Sequence, residues 1–245
     1  MLWRALKNVR NGFYIDVGAA SPESSSVTKA FYDRGWSGIN IEPNPTLWTT
    51  LAELRPRDVN LRIALSNRPG HGELHVFGTT GLSSLDDGVA AMHVSAGRQM
   101  EKTIVEVSTL SDVWREHAGS RNVHFLKIDV EGWERQVLLG NDWLRNRPWI
   151  LVIEATVPMS TVESHDHWET IVLGANYKLV YKDGLNRFYV AEEHPELVPA
   201  FSSPPNVFDD FVVAGVPVLE AQLADAVVRL RQATSELHAA RTQSI

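Results

Sequence analysis

The sequence predicts an α/β fold, a mostly parallel sheet covered by helices on both faces. Three observations carry that prediction. Short apolar runs alternate with helix-period segments between Gly12 and Glu193, the pattern of strand-helix-strand units. Four of the runs are apolar almost throughout and close on a carboxylate: Asp16, Glu42, Asp129 and Glu154. Continuous apolar runs of this kind belong to strands buried on both faces. Near the end, two strand-like runs flank Asp183-Gly184, a hairpin turn that adds an antiparallel edge strand to the sheet.

The elements follow in order. "GFYI" opens the first strand, which ends at Asp16 and breaks into the small residues Gly18-Ala19-Ala20-Ser21. "SSSVTKAFYDRG" (24–35) sets Val27, Ala30 and Phe31 at helical spacing, with Gly35 as a stop. "SGINIEPNP" is a strand ending in Glu42, "TLWTTLAELRP" a helix closed before Pro56, and "VNLRIALSN" a third strand. From Arg68 to Glu101 several glycines and alternating fragments such as "GELHVFG" predict a hairpin, loops and one short helix. "TIVEVSTLSDVWREH" is a strand followed by a helix, and "VHFLKIDVEG" a buried fourth strand running into the helix "WERQVLLGNDWL". "WILVIEAT" is the fifth strand, and "WETIVLGANYKLVYKDGLNRFYVAEEH" a helix, a strand, the turn and a return strand.

With 245 residues, 44% of them hydrophobic, the chain can bury the core of one large domain. That domain is expected over residues 1–215, with a separate helix over 216–245. In the tail, Leu219, Leu223, Ala226, Leu230, Ala233, Leu237 and Ala240 recur in steps of four and three, a heptad pattern. It either packs on the domain or projects after Pro217 to self-associate or dock a partner. A net charge of -7 argues against a nucleic-acid surface, which needs clustered Lys and Arg. The absence of cysteine rules out disulfides and thiolate metal sites and fits a reducing compartment. "MLWRALKNVRNG" is too short and charged for a signal peptide, and no apolar run reaches the roughly 18–20 residues of a membrane span. These features predict a soluble, cytoplasmic protein.

Ligands of such sheets sit beyond the carboxyl ends of the strands. A dinucleotide site would want G-x-G-x-x-G, but the chain reads Gly18-Ala19-Ala20-Ser21-Pro22-Glu23, with an acid where phosphates should lie. S-adenosylmethionine is cationic at its sulfonium and has no phosphate, so Asp16 and a bare backbone suit it better. Glu42 stands where an acid accepts both ribose hydroxyls of either cofactor, so the turn chemistry decides. A lone Asp before Gly, or Glu before Pro, is more often a turn or solvated residue. Their joint placement on consecutive strand ends reverses that reading.

"GFYIDVGAASP", "INIEPNP", "ALSN", "STLSD", "FLKIDVEGWE", "ILVIEAT" and "DGLNRFYV" occur in this order, and from about Asn11 to Glu193 the chain resembles the FkbM-type methyltransferases. The resemblance implies a Rossmann-like class I methyltransferase sandwich with a mostly parallel seven-stranded sheet and an antiparallel edge strand. It also implies S-adenosylmethionine-dependent O-methylation, commonly of sugar hydroxyls on polysaccharides, glycolipids or glycosylated natural products. By that likeness Asp16, Gly18 and Ala19 line the cofactor, Glu42 holds the ribose, and Ala64 and Leu65 flank the adenine. The alternatives are a polyketide-like or other small-molecule hydroxyl as acceptor, or a noncatalytic module that assembles through the tail.

Methyl transfer to a hydroxyl requires alignment and removal of a proton, and the base must stand over the strand ends. Asp129 is best placed, with Lys127 on the same strand face two residues earlier; a purely structural ion pair is the competing reading. Glu131, at the start of the following helix, is expected to cap it. Glu154 is placed to accept a sugar hydroxyl or to share a divalent metal, magnesium, with Asp129. In "ESHDHWE", His165 is an alternative base, with His167 and Trp168 beside the acceptor. A polar loop with a helix-packing Trp explains the same residues equally well, and zinc would need further ligands. The family likeness turns Asn186 and Arg187 toward the acceptor.

Overall fold

The first strand is buried along its whole length, Asp16 included, because its neighbours lie on both sides and helices cover both faces. The computed structural model describes residues 1–209 and 216–243. Along the chain, α1 (Leu2–Leu6) precedes β1 (Phe13–Val17), α2 (Lys29–Tyr32), β2 (Ser37–Ile41), α3 (Pro45–Leu54), β3 (Val59–Leu61), β4 (Ala64–Leu65) and β5 (Gly70–Val76). Next come α4 (Asp87–Ser95), β6 (Glu101–Ser108), α5 (Leu110–Val113), β7 (Phe125–Ile128), α6 (Glu134–Leu139) and β8 (Ile150–Glu154). The order ends with α7 (Glu169–Gly174), β9 (Tyr177–Lys182), β10 (Asn186–Ala191) and α8 (Val216–Gln243).

Seven strands form one sheet in the order β3-β2-β1-β7-β8-β10-β9. β3, β2, β1, β7 and β8 are parallel, and β10 runs antiparallel to both β8 and β9. The architecture is a Rossmann-like α/β sandwich. The expected antiparallel pairing lies at that edge; β10 carries the reversed direction and β9 lies outside it. Asp183 Oδ1 accepts from the N–H groups of Leu185 and Asn186 to tighten the hairpin turn. The chain steps from β1 outward to β2 and β3, then returns to β7 and β8 on the other side of β1. A crevice therefore opens at the carboxyl ends of β1 and β7.

Alternation along each strand divides the core. Ile15, Val17, Ile39, Ile41, Leu126, Ile128, Leu151 and Ile153 pack on one face with Val113, Leu138 and Val172. Tyr14, Phe125 and Val152 pack on the other with Leu6, Phe31, Trp36 and Phe201. Asp16, Lys127, Asp129 and Glu154 have the parity of this second set, so all four approach the crevice from one face.

Two expected elements differ. "VNLRIALSN" is two strands: β3 extends the large sheet, and β4 joins β5 and β6 in a second sheet of three. The helix expected over 24–35 is regular only over Lys29–Tyr32. Ser21 Oγ there accepts from the N–H groups of Glu23 and Ser24, and Ser25 is left-handed at φ 56°. Such local side-chain bonds compete with helix. The middle segment supplies the hairpin partners β5 and β6 and one helix, α4.

The chain divides into two compact units, Met1–Pro204 and Pro205–Ile245. The boundary expected at 215/216 abuts residues outside the described ones. In α8, Leu219, Leu223, Ala226 and Leu230 are exposed, and the side chains of Ala233, Leu237 and Ala240 lie outside the described residues. Among the described residues no helix is long and apolar enough to cross a membrane.

Candidate active site

After β1 the chain turns sharply. Gly18 adopts φ 78°, and a Cβ there would stand 1.8 Å from the carbonyl oxygen of Asp129. The N–H groups of Gly18 and Ala19 both donate to Ile41 O, at 3.0 and 3.2 Å. Only glycine allows this close approach of two backbones. Beneath the turn, Asp16 is 1% exposed and accepts from Thr28 Oγ1 at 3.0 Å. Lys127 Nζ donates to Gly18 O at 2.6 Å and lies 3.3 Å from Asp16 and 3.4 Å from Asp129. Burial works against the Lys127 charge, but Asp129 and Asp16 outweigh it and hold the ammonium above its ordinary pKa. Asp16 is therefore a support of the turn and does not line the cleft as expected. Ala19 is likewise buried beside the turn.

Above the turn lies a cleft of about 500 Å³, its mouth included, lined by Gly18, Glu42, Ala64, Leu65, Asp129 and Trp133 among others. Glu42 Oε2 accepts from Ala20 N and Oε1 from Asn44 N, both at 2.9 Å. Burial raises its pKa, and the two backbone donors oppose that rise. Each oxygen keeps a lone pair for a further donor. Ala64, Leu65 and Leu74 give the cleft an apolar wall.

Asp129 is the open member of the group, its side chain 33% exposed. In register, Ile128 of β7 pairs with Ile153 of β8, which sets Asp129 beside Glu154 one residue later. Glu131 does not cap the helix as expected. Glu134 Oε1 takes that role, accepting from Val130 N at 3.1 Å and Gly132 N at 3.2 Å. Glu131 instead adopts φ 53°, and one carboxylate oxygen from each of Asp129, Glu131 and Glu154 lies within 4.8 Å of the others. Burial, then the charges of Asp129 and Glu134, push Glu131 up to about 8. Burial, then Asp129 and Glu131, push Glu154 well above the usual carboxylate range.

The residues expected at the acceptor behave differently. Arg187 is 3% exposed; its guanidinium donates to Glu169 Oε1 at 2.7 Å and Glu163 Oε2 at 3.1 Å. His165 lies 3.5 Å from Glu163, 3.1 Å from Asp166 and 3.7 Å from Glu169. Together they fasten the segment before α7 to β10. Trp168 is buried in the core against Tyr189, so it has no face to offer a sugar. His167 is exposed. Asn186 is half-buried opposite Glu154 at the strand ends, its Nδ2 donating to Asp183. Sequence reasoning missed Ser83, Ser84 and Leu85, which line the cleft from the middle segment. The glycines of "GTTGLSSLDDG" were the signal of a loop able to reach it.

No curated protein matches the chain. Among solved structures it is similar to the methyltransferase FkbM from Methylobacillus flagellatus KT, at 14% identity and a TM-score of 0.43. The similarity covers 76% of this chain and 47% of that one, so the match spans about half of that protein's length. Residues 16–179, which hold the turn, the cleft and all three clustered acids, match the family model for the methyltransferase FkbM domain. The chain belongs to the FkbM methyltransferase family.

Proposed function

We propose that the chain is an S-adenosylmethionine-dependent O-methyltransferase acting on a hydroxyl of a sugar or glycoconjugate. One observation carries this reading: the open carboxylate of Asp129 enters the same cleft as Gly18 and Glu42. The residues fit the cofactor. Gly18 leaves space where any Cβ would collide, Glu42 offers acceptor lone pairs for ribose hydroxyls, and the apolar wall suits an adenine. The excess of acids around Lys127 favours a cationic ligand and disfavours phosphates.

S-adenosylmethionine supplies a methyl carbon already activated by its sulfonium. Asp129 is positioned to take the hydroxyl proton, held by Lys127 at 3.4 Å; a general base typically contributes about 10²- to 10⁴-fold. A carboxyl accepts hydrogen bonds and, when protonated as burial favours for Glu154, also donates one, so a rim of Asp129 and Glu154 suits an acceptor with several hydroxyls.

The test is calorimetric titration with S-adenosylhomocysteine, followed by turnover on simple glycosides and on polyketide-like alcohols. Wild type is expected to bind in the micromolar range, Glu42→Ala to lose binding, and Asp129→Asn to bind but not turn over. Full turnover by Asp129→Asn would remove Asp129 as the base, and turnover confined to the alcohols would remove the sugar acceptor.

A further inference from the structure

We infer that Asp129, Glu131 and Glu154 form a binding site for a hard divalent cation at the carboxyl ends of β7 and β8. The site needs no cofactor to exist; its role beside the acceptor rests on the methyl-transfer reading above.

The inference begins with unmatched oxygens. Glu131 is 9% exposed and Glu154 6%, yet Oε2 of each has no hydrogen-bond partner. Buried charged groups are normally paired or bound to metal. The nearby donors are engaged: Glu134 takes the Val130 and Gly132 N–H groups, and Lys127 is shared among Gly18 O, Asp16 and Asp129. Arg98 acts on Glu131 electrostatically but forms no ion pair with it among the described residues. The backbone also commits Glu131 to this place. Its left-handed φ of 53° follows the Val130 turn, and Ser84 Oγ donates to its carbonyl at 2.7 Å.

The geometry suits oxygen-loving cations. Neighbouring ligands in an octahedron stand about 3.0 Å apart around magnesium and about 3.4 Å apart around calcium, from bond lengths of about 2.1 and 2.4 Å. The trio's oxygens, within 4.8 Å of one another, reach those separations by side-chain rotation. With no cysteine in the chain and three carboxylates in the site, magnesium or manganese fits better than zinc. Three carboxylates fill half of an octahedron. The remaining positions suit water and two neighbouring hydroxyls, which selects an acceptor carrying a vicinal diol.

The experiment is thermal unfolding of the full chain, stripped with chelator and then titrated with magnesium, manganese or calcium chloride, with sodium chloride matched for ionic strength. Wild type is expected to melt several degrees higher at millimolar magnesium or manganese. Glu131→Gln and Glu154→Gln are expected to lose that response. Both should melt no lower than metal-free wild type, because, without a cation, burial and the neighbouring acids already favour the protonated carboxyl at both positions, which a neutral glutamine of the same shape replaces. Manganese paramagnetic resonance on wild type, counting one bound ion displaced by magnesium, keeps the test independent of how the variants fold. No bound manganese, or variants that respond as wild type does, would overturn the inference and leave the cluster holding protons. S-adenosylhomocysteine titration of the same samples separates the two proposals. Cofactor binding without cation binding ends this inference alone, and cation binding without cofactor binding ends the functional reading alone.

Discussion

A Cβ on Gly18 would lie 1.8 Å from the carbonyl oxygen of Asp129, so the turn after β1 and the turn after β7 are built as one object. The contact joins the residue expected to face the cofactor to the residue expected to take the proton. Gly18→Ala therefore forces both backbones apart and places a side chain at φ 78°. We expect a loss of about 2–4 kcal/mol and no measurable S-adenosylhomocysteine binding. Urea unfolding and calorimetry check this together; an alanine variant that binds normally would show that the two turns move independently.

Lys127 bridges Asp16 and Asp129 from a buried position. Removing it strands Asp16, which has only Thr28 as its other side-chain hydrogen-bond partner among those described. Lys127→Met should lower stability by about 3–5 kcal/mol. Adding Asp16→Asn to the same protein should recover much of that loss, because the stranded charge goes with it. A double-mutant cycle measured by urea unfolding reads the coupling, and additive effects would mean that the ion pair contributes little.

The strand ends were readable in the sequence because parallel strands leave a continuous apolar run, and a carboxylate that interrupts such a run stands out. Asp16, Glu42, Asp129 and Glu154 all close strands or follow them directly. What lies above or below the sheet was not readable. Asp16 and Glu42 look alike in sequence, yet one is covered by Thr28 and Lys127 and the other lines the cleft. Arg187 resembles a rim residue until Glu163 and Glu169 arrive from a segment some twenty residues earlier. Glu131 was expected to cap because α6 was expected to begin sooner; it begins at Glu134. The second sheet depends on Ala64–Leu65 meeting Val107–Ser108, a pairing with no local pattern to announce it.

Arg187 offers a sharp distinction between the two roles open to it. As a fastener of the segment before α7, Arg187→Leu should cost about 3–5 kcal/mol while leaving S-adenosylhomocysteine affinity unchanged within about twofold. Arg187→Lys should recover only part of the stability, since an ammonium cannot reproduce the fork to Glu163 and Glu169. A lysine variant with wild-type stability but a raised KM for acceptor would instead place Arg187 at the substrate.

Glu134 predicts a pH dependence of stability. It is buried among Val130, Gly132 and the charge of Asp129, and burial pushes its pKa up from 4.5 to about 7 despite the two backbone donors. The folded chain thus holds more protons than the unfolded chain between those values. Its stabilising share is complete below about pH 4.5 and is lost as pH rises through about 7, a span worth up to about 3 kcal/mol. Glu134→Gln keeps an acceptor for Val130 and Gly132 without the ionisation. In chelator, it should match wild type near pH 5 and exceed it by up to that amount near pH 8. Glu131 titrates in the same direction, up to about 8, and the Glu134 charge contributes to that rise, so the comparison is made in a Glu131→Gln background, where the difference reads Glu134 without that coupling. Parallel stability curves from urea unfolding at pH 5, 6, 7 and 8 would mean that Glu134 stays ionised in the fold and that its two backbone donors outweigh burial.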